Sequence, residues 1–321
     1  MYETRFRLTF LFALIACVSS TSAGAAVLAL APTARGGDLH VVDVATHNST
    51  VLEAASCCAV QVGSVTADVV NHRVLFLANH AGGSADLYTF GYGISASIAA
   101  VPVSAGVRVT HIAYDAANAR LVGFAAEDAG GIDVVTVAPA TGTVVSIGAL
   151  GPACCTLRAG VIAYQPATAT LYGVGRRSTD LNDQLLAFSA VTGLLQNAYD
   201  LGNERVAQLI ADGSTLYALS YAQDTALLRP ITLAFTPSFH VTPIGAGVSD
   251  CCFVLAGSAA IDHASNTLVA LTRAISSSGP FAIRTFSLST GAVSVRSTLA
   301  AMGLFEDTAV LFDRIFADSF E

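Results

Sequence analysis

The chain has 321 residues, of which 53% are hydrophobic and 12% charged, with a formal net charge of −8. So apolar a composition excludes intrinsic disorder, and the acidic balance excludes the basic surface on which a sequence-independent grip on nucleic acid depends. All 15 basic residues are Arg, so neither a Schiff-base lysine nor a phosphate-loop lysine is available.

The chain opens on a predicted secretory signal over residues 1–25. Arg5 and Arg7 supply a positive n-region, Leu8 to Ala16 an apolar stretch, and Ala23-Gly24-Ala25 a small-x-small cleavage site. A second reading competes: Leu14-Ile15-Ala16-Cys17 resembles a bacterial lipobox, which would make Cys17 a lipidated N-terminus. Both readings export the chain, to a secreted, periplasmic or cell-surface location in a Gram-negative bacterium. Losing Glu3, Arg5 and Arg7 with residues 1–25 takes the net charge to −9. Beyond the signal no apolar run reaches the ~18 residues that a transmembrane helix needs.

A repeat organises the rest of the chain. The dipeptide Cys-Cys occurs at Cys57-Cys58, Cys154-Cys155 and Cys251-Cys252, twice at an interval of 97 residues. Each interval is itself double. An apolar strand ends on Asp or Gln, then come a polar turn and a second apolar strand. This hairpin appears at Asp68, Asp115, Gln165, Asp212 and Asp262. The acid fits a turn-opening position, where its side chain caps its own backbone. A second hairpin comes next, turning at Thr192-Gly193 and Thr290-Gly291 in two of the units. One unit is therefore four antiparallel strands in about 48 residues, the size of a β-propeller blade. Five units start near residues 57, 107, 154, 205 and 251. Val27 to Leu30, Leu39 to Val44 and Thr50 to Ala54 read as strands two to four of a sixth, and Thr308 to Phe312 as its first strand. The expectation is an all-β, six-bladed propeller over residues 26–313, its ring closed by one C-terminal and three N-terminal strands. An outer-membrane barrel is rejected, because it needs strands of ~9–11 residues and a polar lumen.

The apolar-Asp-turn-Leu-Tyr hairpin resembles those of the broad NHL-, YVTN- and lactonase-like propeller superfamily. That resemblance implies the architecture, with a central calcium ion in the lactonase branch, but the calcium ligands of that branch have no residue-by-residue match here. Residues 314–321, Arg-Ile-Phe-Ala-Asp-Ser-Phe-Glu, resemble a Phe-x-Asp-Gly-Phe-Glu tail of some exported proteobacterial proteins, with Ser319 in place of the Gly.

All three Cys pairs are placed in loops that lead from one blade into the inner strand of the next, on alternate blades. Six thiols in an exported chain favour disulfides. Two symmetric schemes stand open, three vicinal bonds or a ring joining each pair to the next. The vicinal scheme is preferred, since it needs no approach between alternate blades. Asp200, Glu204, Asp250, Glu306 and Asp307 fall on the same face. Glu204, Asp250, Glu306 and Asp307 are the candidate ligands of a divalent cation such as calcium, against a reading of all of them as solvated loop acids. His111 lies on an inner strand, where a packing role is favoured over one facing the channel. No catalytic constellation is assembled in the sequence, so catalytic residues are none. The expected function is a monomeric, non-enzymatic scaffold that binds a protein or glycan. The alternative is a metal-dependent lactonase-like hydrolase.

Overall fold

The computed structural model describes residues 26–311, except 34–35, 44–48, 56–58, 69, 81–83, 92–96, 127–130, 150–154, 178–182, 223–226, 236–237, 250–251, 264, 275–280 and 300–308. The predicted signal, Cys17 and the tail lie outside them.

The chain is an all-β propeller of antiparallel four-stranded sheets. The N-terminus contributes β1 (Ala26–Thr33), β2 (Gly36–Asp43) and β3 (Ser49–Ala55). Next come β4 (Ala59–Asp68), β5 (Arg73–Asn79), β6 (Ala85–Gly91) and β7 (Ser97–Pro102), then β8 (Arg108–Asp115), β9 (Arg120–Ala126), β10 (Ile132–Val137) and β11 (Val144–Ala149). The third sheet of consecutive strands holds β12 (Cys155–Gln165), β13 (Thr170–Arg177), β14 (Gln184–Ser189) and β15 (Leu195–Asp200). The fourth holds β16 (Glu204–Asp212), β17 (Thr215–Ala222), β18 (Leu228–Ala234) and β19 (His240–Pro243). The fifth holds β20 (Cys252–Asp262), β21 (Thr267–Ala274), β22 (Phe281–Ser287) and β23 (Val293–Leu299). Last comes β24 (Ala309–Leu311), which pairs with β1 so that Leu28 faces Leu311 and Leu30 faces Ala309. Both ends of the described chain thus meet in one ladder, β24-β1-β2-β3.

Second strands such as β5 and β9 are buried at every interior position, because neighbouring sheets cover both faces. That explains their unbroken apolar sequence. Outer strands such as β15 and β19 are largely exposed. The core consequently lies in layers between sheets. In one layer Phe124 meets Phe188 of the next sheet edge-on, with ring centroids 5.0 Å apart.

The hairpin turns repeat one geometry. His72, Ala119, Ala169 and Asn266 all adopt φ of 48–49°, each four residues after the Asp or Gln that opens the turn. Asp68 Oδ1 accepts from the Asn71 backbone N–H at 3.3 Å, while its Oδ2 accepts from Asn71 Nδ2 and Arg73 Nε, both at 2.7 Å. Asp115 holds Asn118 and Arg120 in the same way, at 2.8 and 3.0 Å. Burial alone would raise the Asp68 carboxyl; its Asn71, Tyr114 and Arg73 partners outweigh burial and hold it below its ordinary value. These acids are turn clamps, as their place in the sequence indicates.

Candidate functional site: the Cys-pair face

Five of the inner strands, β4, β8, β12, β16 and β20, begin on one end of the propeller, and they are of two kinds. In β4, Val60 pairs with Ala78 and Val65 with Phe76, so residues 61–64 face Leu77 alone. Strands β12 and β20 do the same, with residues 158–161 facing Val174 and residues 255–258 facing Leu271. In β8 and β16 the irregularity is one extra residue, Thr110 or Ala207. The three long bulges share a sequence, with Gly at the fifth residue after each Cys pair: Gly63, Gly160 and Gly257. Gly160 and Gly257 have φ of 75° and 74°, a region closed to most side chains. Ser64 and Ser258 donate to the carbonyls of Leu77 and Leu271, groups that an uninterrupted ladder would have paired. The bulges draw these strands inward, and β4, β12 and β20 bring Cα atoms within 8 Å of one another across the centre.

The bulges are tied to the single-residue strands by side chains. Gly160 N–H donates to His111 Nε2 at 3.3 Å, and Gly257 N–H donates to Gln208 Oε1 at 2.7 Å. His111 and Gln208 are one repeat apart. Accepting at Nε2 places the His111 proton on Nδ1, which lies 2.9 Å from Thr110 Oγ1; that hydroxyl donates to the Phe124 carbonyl. Burial pushes His111 down to about 4, with the Arg158 backbone acting weakly the other way, so the ring is neutral. In the reverse direction Gln61 Nε2 donates to the carbonyls of Val109 and Thr110, at 3.1 and 2.7 Å. Its repeat equivalent Arg158 donates from Nη1 to the Val206 carbonyl at 2.8 Å.

Cys155 and Cys252 do not precede the inner strands, as the sequence suggests; they open β12 and β20. The strands start earlier than expected because the bulge is part of the ladder. Both cysteines are buried, and in different layers. Cys155 packs with Phe124, Leu171 and Phe188, and Cys252 with Leu219, Leu268 and Phe286. Cys57, Cys58, Cys154 and Cys251 lie outside the described residues.

Of the four candidate cation ligands, Glu204 alone is described. It is buried at the start of β16, and its Oε1 accepts from Arg229 Nη2. Its Oε2 and Arg229 Nε are buried without hydrogen-bond partners in the described structure. Asp250, Glu306 and Asp307 lie outside the described residues. The described part therefore offers a cation one oxygen of a carboxylate that already carries a guanidinium, a poor donor set for a hard ion. Among the described residues no three His, Cys, Asp or Glu side chains cluster closely enough to hold a metal. Asp200, at the same end, accepts from the Gly202 N–H at 2.8 Å and shapes its own turn.

Sequence reasoning missed an arginine cluster beside these strands. Arg158 Nη1 and Arg176 Nε lie 3.3 and 3.1 Å from the two oxygens of Asp183, and exposed Arg205 directly precedes Val206, whose carbonyl holds Arg158.

No protein-family model matches the chain, and no curated protein does. Solved structures do. A putative TolB from Agrobacterium tumefaciens superposes with a TM-score of 0.60 at 12% identity, over 88% of this chain and 99% of that one. A chain of a nidogen/laminin complex gives 0.58 at 11% identity, covering 89% and 96%. The periplasmic gluconolactonase PpgL of Pseudomonas aeruginosa gives 0.56 at 13% identity, covering 89% and 99%. At such identities the likeness establishes the propeller fold and nothing finer.

Proposed function

We propose that the protein is an exported binding or scaffold propeller that presents its Cys-pair face to a protein or glycan and performs no chemistry. One observation carries this reading: the three bulged strands converge behind that face, tied to neighbouring sheets through His111, Gln208, Gln61 and Arg158. A surface fixed in that way is pre-organised for binding. The occurrence of a similar chain in a complex of two proteins is in keeping with it.

The proposal includes a six-bladed ring in which β24-β1-β2-β3 is the sixth blade, supported by the pairing of β1 with β24. It includes oxidation of all six mature cysteines. The seats of Cys155 and Cys252 in separate apolar layers favour a partner within each pair. Such bonds fit an exported, monomeric protein, released by cleavage after residue 25 or anchored through Cys17.

The second reading, a metal-dependent hydrolase, has one observation in its favour: Glu204 Oε2 is buried and without a partner in the described structure. Glu204, Asp250, Glu306 and Asp307 would be its cation ligands and calcium its ion. Elemental mass spectrometry of purified protein, with a lactone and ester panel, decides between the two. The binding reading expects neither a stoichiometric divalent ion nor turnover. A bound ion lost in Asp250→Ala, together with turnover, overturns it.

A further inference from the structure

At the repeat position where β4 has Gln61, β12 has Arg158. Both side chains bridge to the next sheet, yet Arg158 brings a charge where Gln61 brings none. Arg158 and Arg176 share one carboxylate, Asp183, and a third guanidinium, Arg205, lies near enough to repel Arg158. Arg158 and Asp183 are half-buried, while Arg176 and Arg205 are exposed. Arg205 has no ion-pair partner among the described residues. Desolvation weakens the hold of Arg158 on its proton; the attraction of Asp183 opposes it, and repulsion from Arg205 and Arg176 adds to it. The neighbouring Glu204–Arg229 pair is internally balanced and adds no anion.

Net positive charge beside a half-buried guanidinium is relieved by a bound anion, and the planar fork of Arg matches carboxylate and phosphate oxygens two at a time. We infer that Arg158, Arg176 and Arg205 form an anion site on the Cys-pair face, with Asp183 positioning two of the three guanidiniums, and that the ligand of this face carries a carboxylate or phosphate group. The inference deepens the binding reading and rests on it for the choice of face. The repeat supplies its own control. Arg108 stands 97 residues before Arg205 and is also exposed, but its neighbour across the sheets is the neutral Gln61.

The test is titration calorimetry on the full exported protein with glucuronate, inorganic phosphate and glucose, in low salt. Glucuronate or phosphate should bind and glucose should not, the tighter of the two anions naming the source of the charge. Arg205→Gln should weaken anion binding roughly tenfold, whereas Arg108→Gln should change it by less than about twofold. Equal losses in the two variants would mean diffuse electrostatics and overturn the site, as would a wild-type protein that binds neither anion. A neutral glycan that binds wild type and Arg205→Gln alike, in the absence of anion binding, would also remove the anion site while leaving the binding reading intact.

Discussion

The two kinds of inner strand explain why the chain repeats at 97 residues and not at 48. Strands β4, β12 and β20 belong to the repeats that carry Cys pairs, and they set four residues against one. Strands β8 and β16 lack the pairs and carry a single extra residue. The first kind fills the centre; the second supplies the acceptors, His111 and Gln208, that hold the first in place. Neither kind can be exchanged for the other, so a pair of unlike blades is the unit that recurs. The comparison also separates two solutions to one problem: His111 and Gln208 accept the same hydrogen bond, but only His111 can take up a proton, a step that burial pushes down to about 4.

The largest effect should come from erasing the bulge itself. Gly160 is buried at φ of 75°. Gly160→Val would force a β-branched residue into that region and crowd the seam with β8, at a cost of about 4 kcal/mol. Ala207→Val, at the single extra residue of β16, has no positive φ to satisfy and should cost less than about 1 kcal/mol. Denaturant melts of the two variants measure the contrast; equal costs would mean that the long bulge is not the demanding element.

The next effect sharpens the contrast between His111 and Gln208. His111 lies near 4 when folded and near 6.5 when unfolded. Between those values the unfolded chain binds the extra proton, so stability is full above pH 6.5 and falls on acidification toward 4, by about 3 kcal/mol. Loss of the Asp68 and Asp115 clamps, whose carboxyls are held below their ordinary values, begins only as pH drops under about 4, so the two windows are separable. His111→Gln, which gives the Gly160 N–H the kind of acceptor that Gly257 already has, should be nearly neutral at pH 7.5 and should flatten the slope between pH 6.5 and 4. An unchanged slope in that variant would remove His111 as its source.

The sequence made the blades legible because a turn-opening Asp or Gln and its left-handed partner four residues later leave a side-chain signature at Asp68, Asp115, Gln165 and Asp262. It made the alternation legible through the Cys spacing. The bulges were hidden, because residues 61–64, 158–160 and 255–258, each with a Gly and a polar residue, pass for the loop before a strand starting at Val65, Val161 or Ala260. The available signal was the Gly five residues after each pair. The Arg229 partner of Glu204 was hidden for a different reason: a carboxylate near a channel reads the same whether it faces solvent, a cation or Arg229, and Arg229 lies 25 residues away on β18. The arginine cluster joins β12, β13 and β16, and no local pattern announces it.

The smallest effect on stability should come from the cysteines themselves. A bond between adjacent residues closes a minimal ring and constrains the unfolded chain weakly, so Cys154→Ser should lower stability by only about 1 kcal/mol. The seat of Cys155 among Phe124, Leu171 and Phe188 is unaltered by the loss, since a free thiol packs there as a small hydrophobe. The start of β12 should loosen instead, and ligand affinity at this face should fall further than the melting temperature. The distribution of thiols discriminates the schemes. Under vicinal bonding, Cys154→Ser frees Cys155 alone, and the pairs at 57–58 and 251–252 stay intact. In a ring, the same change frees a cysteine in another pair. Peptide mapping without reduction reads this directly: fragments cross-linked between the 57, 154 and 251 regions would establish the ring, and six labelled thiols in the native wild-type protein would eliminate both schemes. The vicinal outcome is the one that the comparison of strands favours, because Cys155 and Cys252 are buried on separate seams, and a ring would have to draw cysteines out of them toward the centre.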